Sequence, residues 1–154
     1  MVFQNVKKIL ATSALALSVM TGTTFATVAP ESIAFDGISP GDSMTKAVAL
    51  WGTPVWQKGK RYDFANGIVV TTTGMHNSII EKLKCKSPKG PSTTDGLSVG
   101  AHEKDISRIY DTADKVSTEG VEVEYTYYSH DRKKKIEIET YYDTVIEIKC
   151  ELTD

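Results

Sequence analysis

The fold is decided by three consecutive stretches: VEVEYTYY at residues 121–128, KKIEIETYY at 134–142 and TVIEIKCE at 144–151. Apolar and polar residues alternate in each of them, which is typical of a β-strand with one buried face and one solvated face. Short turn segments separate the three stretches, so we predict an antiparallel three-stranded meander. One of its faces is rich in Glu, Lys and Tyr.

A similar arrangement precedes this meander. Residues 61–65 and 68–73 flank Asn66-Gly67, which is a strong short-range signal for a β-hairpin. Residues 77–85 then predict a third strand.

An internal repeat relates the two halves of the chain. The sequence GISPG at residues 37–41 is echoed by GLSVG at 96–100, and a short helical pattern follows each copy. The repeat predicts an α+β fold built from two tandem units. Each unit is a helix plus an antiparallel three-stranded meander, the units share one sheet, and the helices pack on one face of it.

The N-terminus has the pattern of a secretory signal peptide. Lys7 and Lys8 precede an apolar run at residues 9–20, and the small residues Thr24 and Ala26 follow at the spacing that signal peptidase needs. No Cys lies at this cleavage site, which argues against a lipoprotein. We therefore predict a chain exported to the periplasm or the extracellular space. The predicted organisation is a signal peptide at 1–26, a first repeat at 27–86, a linker at 87–95 and a second repeat at 96–154.

Composition excludes several classes of protein. The chain has 154 residues, 18 Lys and Arg against 20 Asp and Glu, 40% hydrophobic residues and 25% charged residues. These values are ordinary for a globular protein and exclude a disordered tail, a polytopic membrane protein and a polybasic nucleic-acid-binding arm. We expect no nucleic-acid partner and no transmembrane span.

The two cysteines, Cys85 and Cys150, close similar strings in the two halves. An even pair of cysteines in an exported protein indicates a disulfide, so we predict a Cys85–Cys150 bridge. The alternative is two buried free thiols.

No motif indicates catalysis. His76, His102 and His130 lack the spacing of a metal site or of a His-based triad, and no nucleophile elbow or phosphate-binding loop occurs. We therefore predict no catalytic residues, no metal and no cofactor, and expect that the protein is not an enzyme.

The aromatic residues of the predicted sheet indicate a different kind of site. Tyr128 and Tyr141 fall on the polar face together with Glu137 and Glu139, and Trp56 follows the first helix. Exposed Tyr and Trp are enriched at the centres of protein interfaces, so we predict that these five residues bind a partner protein. The alternative is that the tyrosines are ordinary strand formers.

The basic run at residues 132–135 has two interpretations. In the first, it is a solvated turn whose charges pair with nearby glutamates. In the second, it makes peripheral contact with a membrane surface. We favour the first interpretation because the run is short.

Two protein families share these features. A Gly-Ile-Ser-Pro-Gly opening at 37–41 and a helix ending in Leu-Trp-Gly-Thr-Pro at 50–54, followed by a three-stranded meander, resemble the SmpA/OmlA-like unit of outer-membrane assembly lipoproteins. Two such units in tandem after a signal peptide resemble the β-lactamase inhibitor protein family. The resemblance implies a non-enzymatic, protein-binding role, without implying any particular inhibited enzyme.

Two functions from different classes follow from the sequence. The first is an exported, non-catalytic protein-binding module, inhibitor-like or an envelope-assembly factor, that docks its partner on the open sheet face. The alternative is a small-ligand-binding protein or an enzyme with a carboxylate site between the two repeats.

Overall fold

The structure, a computed structural model, describes residues 28–154. The predicted signal peptide at 1–26 lies outside the described residues. Within the described range there are two α-helices, α1 at Met44–Trp51 and α2 at Lys104–Tyr110, and short 3-10 helices at Pro30–Ser32 and Met75–Asn77. The eight strands are β1 Trp56–Lys58, β2 Arg61–Asp63, β3 Ile68–Thr73, β4 Ile79–Cys85, β5 Lys115–Glu119, β6 Glu122–Tyr128, β7 Lys134–Tyr141 and β8 Thr144–Leu152.

All eight strands belong to one antiparallel sheet in the order β1-β2-β3-β4-β8-β7-β6-β5. The two halves of the chain meet at its centre, where β4 pairs with the last strand, β8. In this pairing Leu83 lies opposite Cys150, and Cys85 lies opposite Ile148. A single continuous hydrogen-bonded ladder therefore joins the halves.

The predicted fold class is wrong. The structure is mainly one eight-stranded antiparallel sheet with two short helices, and not two tandem helix-plus-three-stranded-meander units. The additional strands are β1 and β5, the two edges of the sheet, and every residue of both is exposed. Because neither strand buries a face, neither shows the apolar alternation from which the other strands were predicted.

Local capping explains where α1 begins and ends. The Ser43 hydroxyl accepts a hydrogen bond from the backbone N–H of Lys46, which satisfies one of the free donors of the first turn. Gly52 ends the helix at a φ of 82°, a conformation that L-residues with a Cβ rarely adopt. At the end of α1 the Trp51 ring packs edge-on against Phe64, with ring centroids 5.4 Å apart.

The core lies on one face of the sheet, between the strands and an irregular covering layer. Ile33, Phe35 and Ile38 come from the first described segment and are completely buried. The backbone of Phe35 pairs with Ile38 and also with Thr93, which lies in the segment between β4 and α2. The helices contribute to the same core, through Ala47 of α1 and through Ile106 and Tyr110 of α2.

The structure also differs from the predicted disulfide. Cys85 and Cys150 are both free and buried. The register offsets them by two residues, so they are diagonal neighbours on β4 and β8. Diagonal Cα atoms are roughly 7–8 Å apart, beyond the separation that a disulfide usually spans. Burial raises the pKa of both thiols, which disfavours the reactive thiolate.

Candidate functional site

The register of the strands separates the sheet into an apolar face and a polar face. Ile136 and Ile138 of β7 lie opposite Cys150 and Ile148 of β8 on the apolar face, which is the face that the core covers. The residues between them point to the other side, which we call the polar face. Its central pairs on β7 and β8 are Lys135 with Glu151, Glu137 with Lys149, and Glu139 with Glu147.

The centre of the polar face carries a chain of ion pairs, which we call the ion-pair network: Lys82, Glu151, Lys135, Glu137 and Lys149. Lys135 bridges two carboxylates, at 2.6 Å from Glu137 Oε1 and 2.8 Å from Glu151 Oε1. Lys82 approaches Glu151 Oε2 at 3.0 Å, and Lys149 pairs with the remaining oxygen of Glu137. The network spans β4, β8 and β7, so it fixes these side chains across the junction of the two halves.

The network changes the ionisation of its members. Burial of Glu137 opposes the charged form, but hydrogen bonds from Lys135 and Lys149 more than offset this and hold the pKa of Glu137 below its usual value. Burial also opposes the charged form of Glu151, but hydrogen bonds from Lys135 and Lys82 outweigh it, so the pKa of Glu151 is lowered as well. Both carboxylates therefore stay charged at a pH where an exposed glutamate begins to protonate.

Acid is expected to destabilise the protein through this network. A carboxyl group with a lowered pKa in the folded state contributes stability above its unfolded pKa, near 4.3 for glutamate, and this contribution is lost as the pH falls through the folded value. We expect Glu137→Gln to reduce the free energy of unfolding at pH 7 by about 1–3 kcal/mol and to flatten its fall below about pH 5. Thermal unfolding followed by circular dichroism across this range measures both effects.

The matched control for this experiment is Glu31→Gln, since Glu31 is exposed, lies in the 3-10 helix outside the sheet and makes no ion pair within residues 28–154. This variant is expected to keep the pH dependence of the wild type. If Glu137→Gln and the wild type lost stability in parallel on acidification, the network would not be the source of the acid sensitivity.

A groove of about 460 Å³ lies on the polar face beside the network. We call it the lysine groove because Arg61, Lys82, Lys84 and Lys86 line it, together with Gly67, Val69 and Thr71. The carboxylates near these four cations are Asp63, Glu147 and Glu151, and Glu151 also pairs with Lys135. Positive charge is therefore in excess in this groove.

The opposite end of the polar face is acidic. Four glutamates, Glu119, Glu122, Glu124 and Glu139, line a shallow depression of about 200 Å³, which we call the glutamate patch. The register sets Glu119 opposite Glu122 and Glu124 opposite Glu139. Within the described part of the chain none of the four forms an ion pair. Facing carboxylates repel one another, so this end attracts cationic groups.

All five predicted partner-binding residues lie on the polar face. Trp56 of β1 is 46% exposed, and the Arg61 guanidinium lies 5.5 Å from its ring centroid. Tyr128 of β6 is half-buried, with the Arg132 guanidinium 4.5 Å above its ring. Tyr141 of β7 is 44% exposed.

These residues are not brought together into one cluster. Glu137 and Glu139 lie in the middle of β7, while Tyr128 and Tyr141 lie near opposite ends of the β6–β7 pair. Trp56 is on the edge strand β1, five strand spacings from β7 or roughly 24 Å. The polar face therefore presents separated aromatic groups around a charged centre.

Sequence reasoning missed a second group of polar side chains, at the start of α2. Glu103, Tyr125, Asp143 and His102 line an open cavity of about 380 Å³. The Tyr125 hydroxyl donates a hydrogen bond to Glu103. Burial and then a hydrogen bond with Asp143 raise the pKa of Glu103. Glu103, Tyr125 and Asp143 lie far apart in the sequence, so no local pattern predicted that they would meet.

Two further observations concern membrane-spanning helices and metal sites. No helix in residues 28–154 is long and apolar enough to cross a bilayer. In the same residues, no three His, Cys, Asp or Glu side chains form a group that could hold a metal ion.

Comparison with known proteins shows similarity of structure only. No family model matches the chain, and no curated protein matches it. A solved DUF4309 family protein from Bacillus subtilis superposes with a TM-score of 0.49 at 12% identity, over 75% of this chain and 82% of that one. A cysteine-rich secretory protein from Staphylococcus aureus gives a TM-score of 0.47 at 9% identity, over 81% and 47% of the two chains.

A third solved structure is an extracellular protein containing an SCP domain from Bacillus anthracis, with a TM-score of 0.42 at 7% identity, over 97% of this chain and 50% of that one. The chain thus spans about half the length of the second and third structures. Scores of this size assign neither a family nor an activity. The resemblance to the β-lactamase inhibitor protein and SmpA/OmlA-like families stays a prediction.

Proposed function

We propose that the protein is an exported, non-catalytic module that binds another protein on the polar face of its sheet. The observation that carries the proposal is the ion-pair network at the centre of that face. Glu137 and Glu151 both lie on strands of the sheet, and their side chains are only 11% and 13% exposed. Side chains held in this way lose little conformational freedom when a partner docks, which lowers the entropic cost of association.

The aromatic residues around the network support the same role. Trp56 and Tyr128 each stack with an arginine, and Tyr141 packs edge-on against Tyr142 with ring centroids 4.8 Å apart. Rigid aromatic groups that remain partly exposed offer a large contact area at low entropic cost.

The charges of the face define the kind of partner. The lysine groove and the glutamate patch lie at opposite ends of the polar face, so a complementary protein carries an acidic region and a basic region at a matching spacing. Such complementarity steers association and sets orientation more than it adds affinity. We expect binding that weakens as the salt concentration rises.

We also propose that the protein is exported from the cytoplasm. Its support is the order of charge, apolar run and small residues in the first 26 positions of the sequence. An inhibitor-like role and an envelope-assembly role are both compatible with this location.

Removing the two tyrosines is expected to weaken partner binding strongly. Residues at interface hot spots contribute about 2 kcal/mol or more each, so Tyr128→Ala combined with Tyr141→Ala should weaken binding by about 1,000-fold. The protein, immobilised and exposed to envelope extract, should retain a stoichiometric partner that mass spectrometry identifies, and calorimetry on the purified pair should measure the loss.

The matched control is Met75→Ala, which removes a side chain that is 80% exposed but lies in a 3-10 helix outside the sheet. This variant should bind as the wild type does. Normal binding by the double tyrosine variant, with both variants folded, would show that the polar face is not the docking surface.

A small-ligand or enzymatic role is the second candidate, and the carboxyl pair at the start of α2 favours it. Glu103 and Asp143 line a cavity with Tyr125, and the raised pKa of Glu103 suits a group that exchanges a proton. Glu103→Gln should leave capture of the protein partner unchanged if the first proposal is correct.

A further inference from the structure

The two edges of the sheet differ in how much pairing surface they offer. Edge strand β1 has three residues and lies between Pro54 and Gly59. Edge strand β5, Lys115–Glu119, has five residues, all exposed, and contains no proline. On its outer side, no backbone group of β5 has a hydrogen-bond partner among residues 28–154. An open edge of this kind is a template for another strand.

The charges along β5 are also without partners. Neither Lys115 nor Glu119 takes part in an ion pair within the described part of the chain. Inside the sheet, Glu119 lies opposite Glu122, which is an unfavourable like-charge pair. A cation placed on the outer side of Glu119 would relieve this repulsion.

The sequence of β5, KVSTE, is complementary to itself in the antiparallel direction. If two copies pair about Ser117, Lys115 of each copy lies opposite Glu119 of the other, and Val116 lies opposite Thr118. The two ion pairs fall on the polar face together with Ser117, because alternate residues of a strand share a face. Each copy then supplies the cation that the other copy lacks.

We propose that two copies of this chain associate through their β5 edges, antiparallel and centred on Ser117, to form one continuous sheet. Such an interface is isologous, since the same patch serves both copies and a two-fold axis relates them. It joins the two glutamate patches at the centre of the assembly and leaves a lysine groove at each outer end. The dimer engages Glu119 of the glutamate patch, but it does not use the tyrosines of the proposed docking site.

Val116 supports the pairing from the apolar side. It is 54% exposed and lies opposite Tyr125 within its own chain. In the dimer it also contacts Thr118 of the second copy, so the cross-strand pair covers part of this exposed side chain. The contact is small in comparison with standard protein interfaces, so we expect a dimer that dissociates in the micromolar range, at about 1–100 µM.

Charge exchange across the two-fold axis tests the proposal. The full chain is expressed in a bacterial host, so that any leader is processed by the cell, and its mass is measured by sedimentation across this concentration range. Lys115→Glu should raise the dissociation constant at least about tenfold, because it sets two like-charge pairs across the axis. Adding Glu119→Lys to this variant should restore dimerisation, since the ion pairs re-form with their signs exchanged.

A cysteine at the axis tests the register. Directly opposed residues in an antiparallel pair have Cα atoms about 4.5–5.5 Å apart, within the range of a disulfide. Ser117→Cys should therefore form a covalent dimer on mild oxidation, and Thr118→Cys should form much less. A wild-type chain that remains monomeric throughout the concentration range, or cross-linking that favours position 118, would overturn the proposed dimer. The double variant Tyr128→Ala and Tyr141→Ala should dimerise normally, which separates this test from that of the docking site.

Discussion

Replacing Phe35 with alanine is expected to reduce the free energy of unfolding by about 3–5 kcal/mol. Phe35 is completely buried, and its backbone pairs with both Ile38 and Thr93. Removing the ring leaves a cavity between the first described segment and the sheet, and the surrounding side chains relax into it only in part. Urea denaturation followed by tryptophan fluorescence measures the loss.

The effect is large in relation to the whole protein, because a domain of this size is stable by only about 5–15 kcal/mol. The control is Leu50→Ala on α1, where the side chain is 55% exposed and little free energy of burial is lost. We expect its effect to stay within about 0.5 kcal/mol. A similar small change for Phe35→Ala would mean that the first described segment does not contribute to the cooperative core.

The second large effect is expected at Gly90, in the segment after β4. A Cβ atom at this position would lie 2.4 Å from the Sγ atom of Cys85, far inside the contact distance of the two atoms. Gly90→Ala therefore forces β4 or the segment to move, and overpacking of this kind reduces the free energy of unfolding by about 1–3 kcal/mol.

A double-mutant cycle tests the cause of this destabilisation. Cys85→Ala removes the sulfur, so combining it with Gly90→Ala should restore part of the lost stability. The recovery should be incomplete, because the added Cβ atom also lies 3.1 Å from the Ser87 carbonyl oxygen. If the two single changes were additive, the clash with Cys85 would not explain the effect of Gly90→Ala.

Residue alternation predicted the strands that bury a face but not the edges of the sheet. Strands β6, β7 and β8 lie close to the ranges read from the sequence, and β3 follows the Asn66-Gly67 turn as expected. The strands β1 and β5 bury no face, so their sequences carry no periodic signal, and they form because a neighbouring strand offers them hydrogen bonds. The fold class was wrong for this reason.

The pairing between the halves also could not be read from the sequence. The repeat indicates that Cys85 and Cys150 occupy equivalent strands, but not the register in which those strands meet. A shift of two residues leaves both side chains on the buried face, so hydrophobicity does not distinguish the bridging register from the observed one. The prediction of a Cys85–Cys150 disulfide was wrong for this reason.

The candidate site was predictable only in its outline. Alternation places Tyr128 and Tyr141 among the charged residues of one face, where the structure has them. The ion pair of Lys82 with Glu151 and the charge excess of the lysine groove depend on β4 lying beside β8. That adjacency comes from long-range pairing, which local sequence patterns do not encode.

The central position of the last strand has a consequence for how the chain acquires its structure. Strand β8 is the last of the eight strands along the chain, yet β4 and β7 pair with it on both sides. The middle of the sheet therefore cannot close until β8 has been synthesised, and pairing between strands as far apart along the chain as β4 and β8 is slow. A nascent chain thus stays incompletely folded until β8 emerges, and a chain terminated before β8 would leave β4 and β7 open to proteases and chaperones.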